Sequence, residues 1–426
     1  MYLEAALWRF NTIHGIIYSF RDYLMIQLRE HQKRAVDKLR EYNKGQIIVP
    51  TGGGKTFIAI TDAQRQLRYI WEWDKHFKRF TEPKTIIVVA PRILLAEQLS
   101  ANFLEHITNA QVLHVHSGET HHYSTTNKDA IREWSIKNWN KHKLIFTTYH
   151  SLHRIQEADI PVDTVYFDEA HNSVQKNFFS ATEYFSNEAN RCYFFTATPK
   201  HSITPFKAGM NDEEVYGKVL CNVPAPELVQ KGVILPPKVI IKKIENTDDS
   251  RLDSEKECDN LLATIDELSV NKVLICARST RQIVNLFSQS AFGRELHMQG
   301  YSWMFITSKT GAIINGKKVN REQFFDTLNT WGREDNRKFV VVHHSILSEG
   351  INVPGLEAAL FLRNMDYITI SQTIGRVIRT GNESKTFGLV VVPTWDRVGI
   401  STSRKVSAVV DTVFQQGEPA ISVIKR

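Results

Sequence analysis

The stretch Pro50-Thr51-Gly52-Gly53-Gly54-Lys55-Thr56 directly follows the apolar run Gln46–Val49. It predicts a β-strand that enters a glycine loop, because glycines let backbone N–H groups turn towards a phosphate. Lys55 would reach the β- and γ-phosphate oxygens, and the hydroxyl of Thr56 would hold Mg²⁺. The pattern G-x-x-x-x-G-K-[ST] has glycine where this chain has Val49, so only its end matches, and a plain turn is the alternative. We therefore expect a nucleoside triphosphate site around Lys55.

The composition is that of a globular protein with more than one domain. The chain has 426 residues, and about 150 residues per domain predicts two or three domains. Its 53 basic and 46 acidic residues leave a net charge of +7, which favours a polyanionic partner. No run approaches the roughly 20 apolar residues of a membrane span, and charged residues interrupt the apolar segment Met1–Phe20. We therefore expect a protein without a signal peptide, located in the cytoplasm or at the nucleoid.

Two series of apolar, β-branched runs alternate with helix-like segments. Such runs are typical of strands buried on both faces of a parallel sheet, with helices as crossovers. The runs are 46–49, 85–90, 144–147, 164–167 and 192–196, then 272–277, 303–307, 339–342, 359–362 and 388–392. Prolines and a glycine cluster between the two series, as expected of a connector. The predicted fold class is α/β with two units, divided as an N-terminal extension 1–27, a first domain 28–222, a linker 223–238 and a second domain 239–426.

The tetrapeptide Asp168-Glu169-Ala170-His171 directly follows the predicted strand 164–167. Carboxylates at the carboxyl ends of parallel strands lie where doubly wound folds bind ligands. Asp168 would hold Mg²⁺, directly or through water, and Glu169 would polarise the attacking water as a general base. An acidic pair at a helix start, favoured by the helix dipole, is the alternative. The pair follows the glycine loop by about 110 residues along the chain, and this combination favours the catalytic interpretation.

These stretches belong to an ordered series that resembles the motifs of superfamily-2 helicases and translocases. The resemblance spans residues 28 to 380, most of the chain. The matching stretches are Leu28–Gln32, Pro50–Thr56, Ala90–Gln98, Thr147–Tyr149, Asp168–His171, Thr196–Pro199, Ser348–Gly355 and Gln372–Arg379. The resemblance implies two tandem RecA-like domains with parallel sheets, and an ATP cleft between them.

The resemblance also assigns roles at the nucleotide. Arg29 and Gln32 would recognise adenine, residues 50–56 would hold the phosphates, and ATP and Mg²⁺ would be bound together. From the second domain, Arg379 would be the arginine finger, which stabilises charge in the transition state. The other nucleotide-site and coupling residues implied are Gly350, Gln372, Arg376, His171, Thr196 and Thr198. The last three would couple nucleotide state to movement.

Nucleic-acid contacts are implied by the resemblance at six positions. They are Pro91, Arg92, Thr147, Thr148, Arg278 and Ser279. Such contacts go chiefly to phosphate and sugar, so they would be independent of sequence and sensitive to salt. The family usually has Asp where Asn352 stands, and the neutral amide supplies no negative charge for an ion pair at this position. The histidines His114, His116, His121 and His122 lack ligand-spaced Cys or carboxylate partners and are interpreted as a polar loop.

The motifs favour a DNA-directed subgroup. The Gln372-x-x-Gly375-Arg376-x-x-Arg379 pattern is closest to the DEAH and type III restriction group that contains XPB-like proteins and phage UvsW helicases. A phage-encoded protein acting in the host cytoplasm fits the same pattern. The resemblance implies an ATP-dependent DNA helicase or translocase, with a monomer favoured. An ATP-dependent RNA helicase is one alternative, and a non-catalytic, nucleotide-switched nucleic-acid binding module is the other.

Overall fold

The computed structural model describes residues 26–67, 82–118, 120–243, 250–307, 309–344, 353–380, 385–394 and 397–424. The described residues form two large sheets, the first from the N-terminal half of the chain and the second from the C-terminal half. In the first half the elements are α1 Glu30–Glu41, β1 Lys44–Ile48, α2 Lys55–Gln66, β2 Thr85–Ala90, α3 Ile93–Leu104, β3 Ala110–Val115, α4 Lys128–Lys137, β4 His142–Thr148, α5 Leu152–Ala158, β5 Thr164–Phe167, α6 Lys176–Glu188, β6 Arg191–Thr196, β7 Lys200–Ser202, α7 Glu213–Tyr216 and β8 Val219–Asn222.

The first sheet has seven parallel strands in the order β3-β4-β2-β5-β6-β1-β8. Its central strands are apolar throughout, and every residue of β2 is buried. Strands covered on both faces by helices select such continuous apolar runs. Strands β5, β6 and β1 are neighbours, and Ile48 of β1 pairs with Thr196 of β6. Their carboxyl ends therefore meet at one edge of the sheet, where three of the predicted motifs begin.

The second half contains α8 Ala225–Gln230, β9 Pro237–Lys243, α9 Asp253–Leu268, β10 Lys272–Cys276, α10 Thr280–Ser288, α11 Phe292–Met298, β11 Ser302–Thr307, β12 Gly311–Ile314, β13 Lys317–Val319, α12 Arg321–Arg333, β14 Phe339–His343, β15 Ala358–Phe361, α13 Tyr367–Val377, β16 Gly388–Thr394, α14 Arg397–Val409 and β17 Ser422–Ile424. Its eight-stranded sheet has the order β13-β12-β11-β14-β10-β15-β16-β9. Only the β11-β12-β13 pairings are antiparallel. The predicted α/β class with parallel sheets is confirmed.

Two segments cross between the halves. The predicted linker 223–238 contains α8 and the first two residues of β9. The second crossing follows α14, which continues as a π-helical turn over Val410–Gln415. There β17 pairs with β7 of the first half, and the Ser422 N–H donates to the carbonyl of Pro199 at 3.0 Å. Residues beyond α14, predicted as part of the second domain, thus also pack against the first.

Other sequence expectations concern the chain as a whole. Cys192, Cys221, Cys258 and Cys276 are buried free thiols. Among the described helices, none combines the length and apolar character needed to cross a membrane.

Candidate nucleotide site and nucleic-acid groove

The glycine loop leaves the carboxyl end of β1 and leads into α2. Gly52 and Gly54 have φ of 88° and 84°, in the left-handed region that residues with a Cβ rarely adopt. Helix α1 braces the loop from one side. The His31 ring Nε2 lies 2.7 Å from the Gly53 carbonyl oxygen, and the Gln32 amide donates to the Gly54 carbonyl at 3.1 Å. The loop is therefore held in shape by both its glycines and its neighbouring helix.

Gln32 does not line the cavity next to the loop. Its side chain is buried, and its amide oxygen accepts a hydrogen bond from the Arg29 N–H at 2.9 Å. Both ends of the amide therefore contact backbone in this structure, whereas Arg29 lines the cavity. The adenine-reading role of Gln32 stays a prediction.

The acidic pair lies at the end of β5, opposite Lys55. The Lys55 Nζ is 3.6 Å from Glu169 Oε1, and both side chains are about nine-tenths buried. Glu169 has φ of 46°, a left-handed conformation that costs roughly 1–2 kcal/mol for a residue with a Cβ. Its Oε2 accepts no hydrogen bond from the described residues. The His171 Nδ1 lies 3.6 Å from this oxygen. A strained residue with a buried oxygen that accepts no hydrogen bond is typical of a functional position.

The two carboxyls have opposite pKa shifts. Burial and the neighbouring charge of Glu169 raise the pKa of Asp168 to about 7, against the effect of Lys55. Burial also acts to raise the pKa of Glu169, but Lys55, His171 and Arg376 outweigh it and hold that pKa below its usual value. Glu169 is therefore the carboxyl that stays ionised. An ionised carboxylate is the form that can accept a proton from water.

His171 joins three motifs. Its Nδ1 lies 3.1 Å from the Thr196 hydroxyl and 3.3 Å from the Thr198 hydroxyl. On the other side of the ring, the Gln372 amide nitrogen of α13 lies 3.5 Å from Nε2. The amide nitrogen of Gln372 can only donate, so the His171 Nε2 must accept. In the neutral imidazole the proton is then assigned to Nδ1. The ring thus links the carboxyl end of β6 to a helix that packs on the second sheet.

Helix α13 also brings arginines to the glycine loop. A Cβ on Gly375 would lie 2.4 Å from Thr51 Cβ, so the absence of a side chain allows helix and loop to touch. Burial lowers the pKa of Arg379, and the charge of Glu169 opposes that fall. Arg376 is likewise buried. Both arginines therefore lie beside the acidic pair.

One cavity of about 380 Å³ contains these groups. A volume of this size lies in the range of small-molecule sites. It is lined by Arg29, Thr51, Gly52, Gly54, Lys55, Thr56, Phe57, Leu95, Gln98, Leu99, Asn102, Asp168, Glu169, Val233, Gln372, Arg376, Arg379 and Thr380. Pro50 and Gly53 belong to the loop without lining this cavity, and Gly350 lies outside the described residues. Phe57, Asn102 and Val233 were not predicted, because neither a motif nor a charge marks them.

The oxygen atoms of Thr56 and Asp168 fit Mg²⁺, which prefers oxygen ligands and keeps several waters or phosphate oxygens. Both residues line the cavity that also contains Glu169, whose buried Oε2 accepts no hydrogen bond from the described residues. Within the described ranges, no group of three or more His, Cys, Asp and Glu could hold a metal ion. The ion would therefore need phosphate oxygens as well as the protein.

A larger cavity of about 1070 Å³ lies between α3 of the first half and α12 of the second. Of the predicted nucleic-acid residues it includes Pro91, Arg92 and Thr148. It is also lined by residues that the motifs did not indicate, among them Ser117, His121, His122, His150, Arg321 and Phe325. His121 and His122 belong to the histidine cluster noted in the sequence, and that cluster could have indicated this side of the cavity. Arg321 could not, since it lies far from any motif.

The structure does not bring the remaining nucleic-acid candidates to this cavity. Thr147 is fully buried, and its hydroxyl donates to the Val115 carbonyl at 2.8 Å. Side chains alternate between the faces of a strand, which separates Thr147 from the adjacent Thr148. The Ser279 hydroxyl caps α10 by accepting from the Gln282 N–H, and exposed Arg278 lies beside Glu257. Their nucleic-acid roles stay predictions.

Comparisons with known proteins agree with the fold and the motifs. Residues 25–201 match the family model described as "Type III restriction enzyme, res subunit", and no curated protein matches the chain. Two structures of Type ISP restriction-modification enzymes, one bound to DNA and one in complex with a DNA substrate mimic, are similar over almost the whole chain. LlaBIII has a TM-score of 0.66 and 18% sequence identity, and the match covers 94% of this chain and 31% of the LlaBIII chain. A nuclease-deletion mutant of LlaGI has a TM-score of 0.64 and 19% sequence identity, and the match covers 93% of this chain and 30% of that protein.

A putative HsdR subunit of a type I restriction enzyme from Vibrio vulnificus YJ016 has a TM-score of 0.58 and 15% identity, over 94% of this chain and 69% of the fragment. This chain spans about a third of the length of the two Type ISP enzymes. Identities this low establish the fold alone. The predicted pair of RecA-like α/β units is confirmed, as is the resemblance to superfamily-2 helicases of the type III restriction group.

Proposed function

We propose that this chain is an ATP-dependent DNA helicase or translocase that hydrolyses ATP in the cleft between its two sheets. The observation that carries the proposal is the shared cavity, in which Lys55, Asp168 and Glu169 from one half face Arg376 and Arg379 from the other. A site completed by two units can hydrolyse only when they close. We take the units to be residues 28–222 and 239–426, joined by the linker 223–238 and by the second crossing.

Hydrolysis would proceed by positioning and charge. The glycine loop holds the phosphates through its N–H groups, and Lys55 turns from Glu169 towards the β- and γ-oxygens. Bound with the nucleotide, Mg²⁺ supplies positive charge at those oxygens, and Thr56 and Asp168 are the residues that would hold it. Glu169 orients the attacking water and accepts its proton. Arg379, with Arg376 beside it, stabilises the charge that develops on the transferred phosphoryl group.

Coupling to movement would pass through His171. Its ring is in contact with Thr196 and Thr198 on one side and with Gln372 on the other. When the cleft opens, the contact with Gln372 breaks, because Gln372 belongs to the second half. The imidazole therefore reports whether α13 is docked on the site. Such a switch between two packings is a common means of coupling a nucleotide to domain movement.

The larger cavity is the proposed DNA groove. Arg92 lies on one wall and Arg321 on the other, so both halves would contact the same strand. Cations facing a polyanion give affinity that depends on salt and not on base sequence. The similar structure of LlaBIII is bound to DNA, and that of LlaGI is in complex with a DNA substrate mimic, which supports DNA as the polymer for this chain.

The experiment is an ATPase assay with no polynucleotide, with single-stranded DNA, with duplex DNA and with RNA. We expect hydrolysis that DNA stimulates. Stimulation by RNA alone would replace DNA with RNA in the proposal, and no stimulation by any polymer would refute a nucleic-acid motor.

The groove is tested by Arg321→Ala, with Arg333→Ala at the other end of α12 as the matched control. DNA affinity should fall for Arg321→Ala alone, and the slope of log affinity against log salt should decrease by about one. Equal effects of the two variants would contradict the groove assignment.

A further inference from the structure

Lys385 lies just before β16 and contacts two turns of the second half. Its Nζ donates to the carbonyl oxygen of Leu356 at 2.5 Å and to that of Arg379 at 3.0 Å. Leu356 directly follows the helicase-like stretch Ser348–Gly355, and Arg379 is the last residue of the helicase-like stretch Gln372–Arg379. One ammonium group therefore ties the carboxyl ends of two motifs together.

The backbone that carries Arg379 is held at consecutive carbonyls. Helix α13 ends at Val377, and the next carbonyl, that of Ile378, accepts from the Leu235 N–H of the linker at 2.7 Å. The Arg379 carbonyl is the acceptor for Lys385. Carbonyls just past a helix have no intrahelical partner, and a cation beside them is also favoured by the helix dipole. A linker N–H and an ammonium group therefore both hold this turn.

The turn decides where the Arg379 guanidinium points. A Cβ on Gly52 would lie 3.6 Å from Arg379 Cγ and 3.1 Å from Ile234 Cγ2, so the turn packs directly on the glycine loop. Arginine is a long side chain, and a small rotation of its backbone moves its tip by several times as much. Catalytic groups lose efficiency when they are misplaced by about 1 Å.

The surroundings of Lys385 are mainly cationic. Glu357 faces it as the opposing negative charge, while Lys272 and Arg379 face it as positive charges. Glu357 also accepts from the Asn271 N–H at 2.7 Å. Burial, with the two cations adding to its effect, lowers the pKa of Lys385 to about 8, and Glu357 opposes that fall.

We propose that Lys385 is a positioning residue for Arg379: its ammonium group holds the turn in the conformation that places the guanidinium against the γ-phosphate. The proposal rests on the ATP hydrolysis proposed above. Lys385 is absent from the residues that line the nucleotide cavity. It therefore acts on the rate through Arg379 and leaves nucleotide binding unchanged.

The first test is a double-mutant cycle on kcat with Lys385→Met, Arg379→Ala and the pair together. We expect Arg379→Ala to lower kcat by roughly 10³-fold or more, and Lys385→Met by roughly 10- to 100-fold with an unchanged Kd for a fluorescent ATP analogue. Adding Lys385→Met to Arg379→Ala should lower kcat no further, since a residue that acts only through another is not additive with it. Additive losses would overturn the proposal.

Lys272→Met is the matched control. Lys272 is a fully buried lysine in the same cluster, and its Nζ donates to the Gly332 carbonyl at 2.8 Å and not to Arg379. Any loss of kcat that it causes should add to that of Arg379→Ala. A non-additive result for Lys272→Met as well would show that general loosening explains the Lys385 result, and would overturn the specific role.

The pH profile separates positioning from unfolding. The rate of the unmodified chain should fall as pH rises through about 8, when Lys385 loses its charge. The pKa of Lys385 is lower in the folded chain than in the unfolded chain. Between these two pKa values the unfolded chain binds more protons, so the contribution of Lys385 to the free energy of unfolding rises with pH. Unfolding therefore cannot explain a rate that falls over the same pH range. Lys385→Arg keeps the positive charge. It should recover part of the kcat that Lys385→Met loses, and it should shift the alkaline limb of the pH–rate profile to higher pH. If the pH–rate profile of Lys385→Met had the same alkaline limb as that of the unmodified chain, the positioning role of Lys385 would be contradicted.

Hydrogen exchange gives a readout without ATP. Amides of residues 376–380 should exchange faster in Lys385→Met and normally in Lys272→Met. Unchanged protection in Lys385→Met would overturn the proposal. If the unmodified chain hydrolysed no ATP under any condition, the proposed function would fail instead, and hydrogen exchange would still decide whether Lys385 holds the turn.

Discussion

Glu169→Gln isolates the proposed general base, because it removes a charge and preserves the shape. The amide cannot accept a proton from water at neutral pH, so the loss should be that of general-base catalysis, roughly 10²- to 10⁴-fold in kcat. This corresponds to about 3–5 kcal/mol of transition-state stabilisation. Gln keeps the left-handed backbone and nearly the same volume, so the fold should be retained.

The structure also predicts the direction of the change in ATP affinity. At an effective dielectric constant of about 20, unit charges 3.6 Å apart attract by roughly 5 kcal/mol, much of which offsets the cost of burying both groups. Without the Glu169 charge, Lys55 is released towards the phosphates. ATP should therefore bind at least as tightly to Glu169→Gln as to the unmodified chain. The combination of tighter binding and lost turnover distinguishes a missing base from a damaged site.

The assay pairs steady-state phosphate release, with saturating DNA, with an equilibrium titration of a fluorescent ATP analogue. Glu188→Gln is the control, since Glu188 is an exposed residue at the end of α6. Thermal unfolding of both variants verifies the fold. A kcat for Glu169→Gln within about threefold of the unmodified chain would refute the base assignment, and so would loss of ATP binding in a folded variant.

Three further predictions concern contacts between segments. Glu227→Gln should lower the melting temperature at pH 7 by the equivalent of about 1 kcal/mol, because Glu227 pairs with Arg34 at 2.9 Å. Hydrogen bonds from Arg34 and Lys231 lower the pKa of Glu227 to about 2, so the difference in unfolding curves should shrink as pH falls below the ordinary Glu value and vanish only below pH 2. Gly375→Ala should lower kcat at least about 10-fold, since a methyl group 2.4 Å from Thr51 Cβ forces α13 off the loop; normal turnover would contradict the close docking. Ser422→Pro removes the N–H that donates to Pro199 and should speed hydrogen exchange in β7, whereas unchanged exchange would show that β17 does not depend on this bond.

Local pattern was enough to predict much of the fold. Strands β2 and β5 have the bounds expected from their apolar runs, because a strand buried on both faces leaves a continuous signal. The edge hairpin β12–β13 and the strand β17 were not anticipated. Such short strands bury little surface, and their existence depends on the neighbour with which they pair.

The sequence by itself determined which chemical groups the chain contains. They are a glycine loop ending in Lys55 and Thr56, an acidic pair directly after a strand, and two arginines three residues apart. Each depends on neighbours along the chain, so each is visible as a motif. The tertiary structure alone decided which of these groups meet. It brought Arg379 to Gly52 across more than 300 residues, turned Gln32 onto the loop and Thr147 into the core, and gave Lys385 its two carbonyl acceptors. Those relations depend on strand order and helix packing, and a linear pattern carries no record of distance in space.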